Sequence, residues 1–244
     1  MVAKEILSVQ HPLIKRMVSL RLEKKSREKE GAVLLSGKKM ISDLSRIVSF
    51  ELLFYLDEPP PFPAKESIRV SPSVLKKITG LEEPDGWAAV APLPPPRSLE
   101  KKNSILILDR LSDPGNLGTL WRTAFGLGWE GIWLTPGTVD PFNDKALRAA
   151  RGTTFQLPYD WVEPEKILKW GKERHAHIYV ADLEGPSPDQ IKKNPPFALV
   201  LSTEGSGRAR WTDSLPPITI PMEKSLESLN VACAGSILLY TLRP

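Results

Sequence analysis

Three short stretches beyond residue 110 of this 244-residue chain gather residue types suited to holding a polar, anionic ligand. The first is Asp113-Pro114-Gly115-Asn116-Leu117-Gly118, followed by Arg122-Thr123-Ala124. A glycine near a helix start lets a ligand approach the backbone closely, and the helix N-terminus itself attracts an anion such as phosphate. Arg122 lies one turn beyond Gly118, near enough to reach the same ligand, and Asn116 offers an amide at the mouth. A plainer reading is that Asn116 caps the helix and Arg122 pairs with a surface acid. The second stretch is Ser202-Thr203-Glu204-Gly205-Ser206-Gly207, a glycine-rich turn whose Glu204 is able to accept hydrogen bonds from a substrate. The third joins Ile220-Pro221-Met222 to Ser228-Leu229-Asn230-Val231, where Ser228 reads as a helix cap and Asn230 as an early-turn residue. None of the three is a Walker loop or a Gly-x-Gly-x-x-Gly fingerprint.

The elements that must position these loops follow from hydropathy. ILIL (105–108) is a continuous apolar run suited to a strand buried on both faces, and it stops at Asp109. The chain then alternates. GTLWRTAFGLG reads as a helix, GIWLT (131–135) as a strand, DKALRAARG as a helix and TTFQLPY as a strand. EKILKWGKERHA is a helix, and HIYVADL, FALVLST (197–203) and ITIPM (218–222) are strands, with SLNVACAGSILLYTLR as a buried closing helix. Such alternation implies a mainly parallel sheet with helices on both faces, and ligands of such sheets bind outside the C-terminal ends of the strands. All three loops fall at those ends.

The first 90 residues form a separate small α/β unit. Two helices are expected around Leu13–Leu20 and Met40–Ile47, strands at AVLL (32–35), ELLFYL (51–56), SIRV (67–70) and WAAVA (87–91), and a helix ended by Gly80. The Pro-rich segment PLPPPRSLEKKN reads as a stiff linker, because proline lacks a donor and restricts the residue before it. The expected division is therefore a domain at 1–91, a linker at 92–103 and a second domain at 104–244.

Composition narrows the chemistry. A single cysteine, Cys233, excludes a disulfide framework and multi-cysteine zinc or iron–sulfur sites, and three histidines argue against a His-rich metal site. The longest apolar stretch, Leu229–Leu242, is short of a membrane span and the N-terminus lacks a secretory pattern, so a cytoplasmic protein with no membrane partner is expected. Net charge is only +4, yet residues 1–40 hold ten Lys/Arg against four Glu, which leaves −2 for the remainder. Lys15, Arg16, Arg21, Lys24, Lys25, Arg27, Lys38 and Lys39 thus make a candidate phosphate-binding surface, the alternative being a solvated helix face.

Taken together, the three loops resemble the SpoU (TrmH-type) family of RNA ribose 2′-O-methyltransferases, within the SPOUT superfamily. The matching segments are DPGNLGTLWRTAFGLGWEGIWLT, LVLSTEGSGR and ITIPMEKSLESLNVACAGSILLY, in the family order and spanning about residues 105–243. The N-terminal unit, through HPLIK and AVLLSGKKMI, looks like the family's substrate-binding domain, similar to a ribosomal protein fold. The resemblance implies a C-terminal trefoil-knotted α/β domain, a homodimer, and S-adenosylmethionine as methyl donor. Carried over residue by residue, the donor site would involve Ser202, Thr203, Glu204, Gly205, Ile220, Pro221, Met222 and Leu229. The catalytic group would be Asn116, Arg122, Glu204, Ser228 and Asn230, and the scheme needs no metal. The second motif usually begins with Gly where Ser202 stands. The implied substrate is structured RNA, rRNA favoured over tRNA. Two rivals are a non-catalytic RNA-binding protein that kept the fold, and a nucleotide-cofactor oxidoreductase, which the missing glycine fingerprint after ILILD disfavours.

Overall fold

The computed structural model describes residues 4–191, 194–202, 209–223 and 225–244. The chain resolves into two compact units: one of residues 1–95 with 142–152, the other of residues 96–141 with 153–244.

The first unit starts with β1 (Lys4–Ile6), α1 (Pro12–Leu22), α2 (Lys24–Glu30), β2 (Ala32–Ser36) and α3 (Lys38–Leu44). It continues through β3 (Phe50–Tyr55), β4 (Ala64–Val70), α4 (Pro72–Thr79) and β5 (Trp87–Pro92). The five strands form one mixed sheet in the order β1-β4-β3-β5-β2. Ile14, Met17 and Leu20 of α1 recur at helical spacing and are fully buried with Phe54, Ile68 and Leu75. Gly80, at φ +68°, ends α4 in the left-handed conformation that a side chain would resist.

The basic run is two helices rather than one exposed face. Glu23 breaks α1 from α2, and Arg27 of α2 folds back under the junction. Its Nη1 donates to the carbonyls of Leu20 (2.7 Å) and Arg21 (2.9 Å), two of the groups that the end of α1 leaves without helical partners.

The second unit is built on β6 (Ser104–Asp109), α5 (Pro114–Gly126), β7 (Gly131–Leu134), β8 (Tyr159–Trp161) and α7 (Pro164–Arg174). It closes with β9 (His177–Ala181), β10 (Phe197–Ser202), β11 (Pro217–Ile218) and α8 (Val231–Thr241). Between β7 and β8 lies α6 (Asp144–Ala150), which belongs with the first unit; there Gly152, at φ +82°, faces Leu44 of α3. The six strands are all parallel, in the order β11-β9-β10-β6-β7-β8. Every residue of β6 and β7 is buried, as the apolar runs Ile105–Leu108 and Ile132–Leu134 within them require. Leu99, inside the Pro-rich segment, is also buried in this core and packs on Gly131, where a Cβ would stand 2.6 Å from its Cδ1.

Three elements differ from the sequence expectation. Residues 153–155 form a 3-10 turn, and the expected TTFQLPY strand pairs only from Tyr159. Pro158 removes a donor there and restricts Leu157. ITIPM does not form a strand throughout: β11 pairs for two residues, Pro217 with Val180 and Ile218 with Ala181, and its partner β9 ends at Ala181. The closing helix starts at Val231 and is capped by Asn230, not Ser228. It is also only half buried. Ala232, Gly235, Leu238 and Leu239 face inward, whereas Ile237 (45%) and Tyr240 (58%) are exposed, as is Cys233. Among the described residues no helix is long and apolar enough to cross a membrane.

Candidate active site

Chain order reverses between β6 and β10. The path leaves β6 toward β7 and β8, then returns to the other side with β9 and β10. A parallel sheet opens a crevice at such a switch point, outside the strands' C-terminal ends. Asp109 and Ser202 end those two strands and are register partners.

Beside them lies a cleft of about 380 Å³, within the range usual for small-molecule sites. Its walls are largely apolar: Leu183 after β9, Leu201 at the end of β10, Ile218 and Ile220 around β11, and Val231, Ala234 and Leu238 of α8. Asp182, Ser202, Glu227 and Ser228 supply polar groups. Of the residues expected to hold the donor, Ser202, Ile220, Met222 and Leu229 line this cleft. Pro221 lines an adjoining, more polar depression of about 500 Å³, shared with Ile220 and Met222. Thr203, Glu204 and Gly205 lie outside the described residues. Ser228, expected among the catalytic groups, is on the cleft wall.

The first and third motifs meet through two helix starts. Asp113, not Asn116, caps α5: its Oδ1 accepts from the Asn116 backbone N–H at 2.8 Å, with Pro114 preset at the first helical position. The Asn116 side chain is thereby left for another contact, and its Oδ1 accepts from Asn230 Nδ2 at 3.3 Å. Asn230 also caps α8, its Oδ1 accepting from the N–H groups of Ala232 (2.8 Å) and Cys233 (3.4 Å). The helices behind this pair are tightly joined. A Cβ on Gly235 of α8 would lie 2.4 Å from Leu120 Cδ2 of α5 and 2.5 Å from Leu201 Cδ1 of β10, so only glycine permits the approach. Trp129 Nε1 adds a bond to the Leu239 carbonyl at 3.2 Å.

Arg122 sits on the exposed side of α5, with half-exposed Phe125 one turn on. No cleft-lining position falls to Asn116, Arg122 or Asn230; they stand at the helix starts and on the outer face of α5 instead. Among the described residues no group of three or more His, Cys, Asp or Glu is arranged to hold a metal ion.

The model of the SpoU rRNA methylase family matches residues 103–240, more than half of the chain. The chain belongs to that family. The first unit of this SpoU methylase matches, over residues 11–89, the MRM3-like substrate-binding domain. The 23S rRNA (guanosine(2553)-2′-O)-methyltransferase RlmP of Bacillus subtilis is 31% identical to it over 98% of this chain and 99% of its own. The mitochondrial rRNA methyltransferase 3 of Homo sapiens is 27% identical over 88% of this chain and 68% of its own. Among solved structures, the AdoMet-bound rRNA methyltransferase of Sinorhizobium meliloti superposes with a TM-score of 0.86 at 26% identity, over 99% of this chain and 97% of that one.

Of the basic residues expected to meet RNA, this SpoU methylase keeps Lys15, Lys24, Lys25, Lys38 and Lys39 exposed. Arg16 is ion-paired to Glu30 (2.7 Å) and Glu51 (3.4 Å), and those two carboxylates hold its guanidinium above the usual arginine range against the opposing effect of burial. The Arg21 guanidinium packs on the bare backbone of Gly80. Arg27 is a correction: at 2% exposure, with its guanidinium on the α1 carbonyls, it belongs to the fold and not to a phosphate-binding surface.

Sequence reasoning passed over Asp109 and Asp182, two carboxylates at the C-terminal ends of buried strands. The signal was present in ILILD and IYVAD: an acid that directly ends a strand buried on both faces lands at the crevice by construction.

Proposed function

We propose that this SpoU methylase transfers the methyl group of S-adenosylmethionine to a ribose 2′-hydroxyl of ribosomal RNA. The observation that carries the reading is the cleft at the ends of β10 and β11 set beside two helix starts joined through Asn116 and Asn230. The cleft suits the donor chemically. Apolar walls of Leu201, Ile218 and Leu238 can take a flat base, and Asp182, Ser202, Glu227 and Ser228 can bond hydroxyl and ammonium groups. The donor supplies a methyl carbon made electrophilic by a sulfonium sulfur.

The protein's part is to orient and deprotonate a weak nucleophile. Asn116 and Asn230 offer amides beside two helix N-termini, where the backbone favours an RNA phosphate. Arg122 grips that phosphate and stabilises the developing alkoxide. A guanidinium does not surrender its proton at neutral pH, so Arg122 is not the base; as the sulfur–methyl bond breaks and the methyl–oxygen bond forms, the 2′-proton is released to water. Ser228, on the cleft wall, shapes the site around the ribose.

Assembly and recognition extend the reading. Cys233, Ile237 and Tyr240 repeat at i, i+4 and i+7, an exposed stripe on α8 suited to covering by a second copy, which supports a homodimer. Packing of α8 against both α5 and β10 is in keeping with a trefoil-knotted C-terminus. The exposed lysines of the first unit offer RNA its phosphate contacts, and the kinship with a bacterial rRNA methyltransferase supports a cytoplasmic setting. The test is transfer of labelled methyl to isolated 23S rRNA, 16S rRNA and tRNA, with mapping of 2′-O-methylated positions in cells with and without the gene. Label confined to one rRNA ribose sustains the reading. Label in tRNA alone, or in no RNA, overturns it.

A further inference from the structure

Phe62 and Trp87 of the first unit have no part in the scheme above, yet they form the outer end of a row of rings that starts in the core. Phe50 is buried at 2% exposure, and Phe62 lies against it with ring centroids 5.8 Å apart. Phe62 in turn meets Trp87 edge to face, at 5.7 Å and 86°, and both of these rings are half-buried. Lys38 closes the row, its ammonium standing 5.6 Å from the centroid of the Trp87 ring. The frame behind the row is stiff. Trp87 is the register partner of Tyr55 in β3, its carbonyl accepts from the Gly37 N–H at 3.1 Å, and Phe62 stands between Pro61 and Pro63. The Lys38 N–H donates to Asp85 Oδ2 at 2.7 Å, and the lysine side chain runs across Gly86, where a Cβ would come 2.8 Å from its Cε.

A purely structural tryptophan turns its ring into the interior, whereas this indole is reached by solvent and met by a long, exposed lysine. An edge-to-face neighbour occupies at most one face of an indole, so Phe62 leaves a face to be filled. The lysine's charge is also unspent. Lys39, next in sequence, is paired with Asp43 at 2.9 Å, but among the described residues Lys38 makes no ion pair. A ring face beside an unpaired cation complements a nucleotide, which joins a flat base to an anion. We propose that Trp87, backed by Phe62, is a stacking platform for an unpaired base of the RNA substrate, with Lys38 moving from the ring to the adjoining phosphate. The proposal rests on the reading of RNA as substrate and adds which part of it the first unit takes: a splayed-out base rather than a paired stem. Every base has a π-face, and stacking on aromatic side chains is a general mode of recognising unpaired RNA. A platform already fixed by strand pairing and flanking prolines loses little entropy when the base arrives.

The test uses the full chain and two RNA probes: a stem-loop whose loop is all uridine, and the same stem as a continuous duplex. The unaltered protein should prefer the stem-loop. Trp87→Leu should weaken stem-loop binding about ten-fold or more and leave duplex binding and donor affinity within about two-fold. Its salt slope should match the unaltered protein's, because stacking moves no charge. Trp87→Tyr restores a ring and should recover most of the loss. Lys38→Met should instead flatten the salt slope by about one unit. General loosening of the first unit would weaken both probes alike, and tyrosine would not repair it. A second measurement needs no variant: 5-bromouridine in the loop, irradiated in complex with the unaltered protein, should crosslink to Trp87. Should Trp87→Leu fail to fold, that crosslink decides, and loop crosslinks that all fall elsewhere overturn the proposal. Equal affinity of the unaltered protein for the two probes, or full stem-loop affinity in Trp87→Leu, overturns the platform and leaves methyl transfer standing. Absence of binding to either probe, together with absence of label in any RNA, overturns both.

Discussion

Asn230 Nδ2 donates to Asn116 Oδ1 at 3.3 Å, joining the starts of two helices whose bonded residues are 114 positions apart in sequence. The same Asn230 caps α8 through its Oδ1, so one side chain serves the fold with its oxygen and the site with its nitrogen. The two duties can be separated. Asn230→Asp keeps the capping oxygen and loses the donor. It should leave stability within about 0.5 kcal/mol while lowering turnover by about ten-fold or more. Asn230→Ala should lose both, including about 1 kcal/mol of stability. Denaturant unfolding alongside methyl transfer reads the difference.

Arg122 stands on the exposed side of α5, away from the cleft wall. Arg122→Ala should therefore reduce kcat by about two orders of magnitude or more and leave donor affinity within a few-fold. Arg122→Lys keeps the charge without the planar fork and should fall between the two. Near-normal turnover in Arg122→Ala would remove the residue from the mechanism.

Gly235 allows α8 to press on Leu120 and Leu201 at distances no Cβ tolerates. Gly235→Val should cost about 1–3 kcal/mol through overpacking, a fall visible in the unfolding midpoint. Donor binding should weaken as well, because Ala234 and Leu238 on the same helix line the cleft.

Arg27 and the exposed lysines should behave oppositely. Arg27→Met leaves the Leu20 and Arg21 carbonyls without this buried charged donor and should destabilise by about 1–3 kcal/mol. Lys15→Ala combined with Lys25→Ala should leave unfolding unchanged, weaken RNA binding and flatten its salt dependence by up to about two units of slope. Filter binding across a salt series checks the second claim.

Periodicity and apolar runs made most of the strands legible, because β6 and β7 are buried on both faces and carry apolar runs at their centres. Those runs end at the crevice, so the neighbourhood of Ser202 could be read from sequence too. Local signals failed where tertiary partners decide. Pairing of β11 stops with the end of β9, which no property of ITIPM announces. Two caps were misplaced because Asp113 and Asn116, like Ser228 and Asn230, are all competent cappers, and only the backbone path selects one. The basic run read as one surface hid Arg27, whose targets are carbonyls that exist only once α1 ends at Glu23.

The excursion of residues 142–152 carries a consequence for dissecting the molecule. Because that segment belongs with residues 1–95, the chain passes between the two units three times, after Pro95, Pro141 and Gly152. Neither unit is a continuous stretch of polypeptide. A fragment beginning at residue 96 would carry α6 as a stranded insert, with Gly152 deprived of Leu44 and the buried side chains of Ala146, Leu147 and Ala150 open to water. A fragment ending at residue 95 would lack the same piece of its own wall. The substrate-binding and transfer units are thus sewn together by a stitch that a cut in the Pro-rich segment cannot undo.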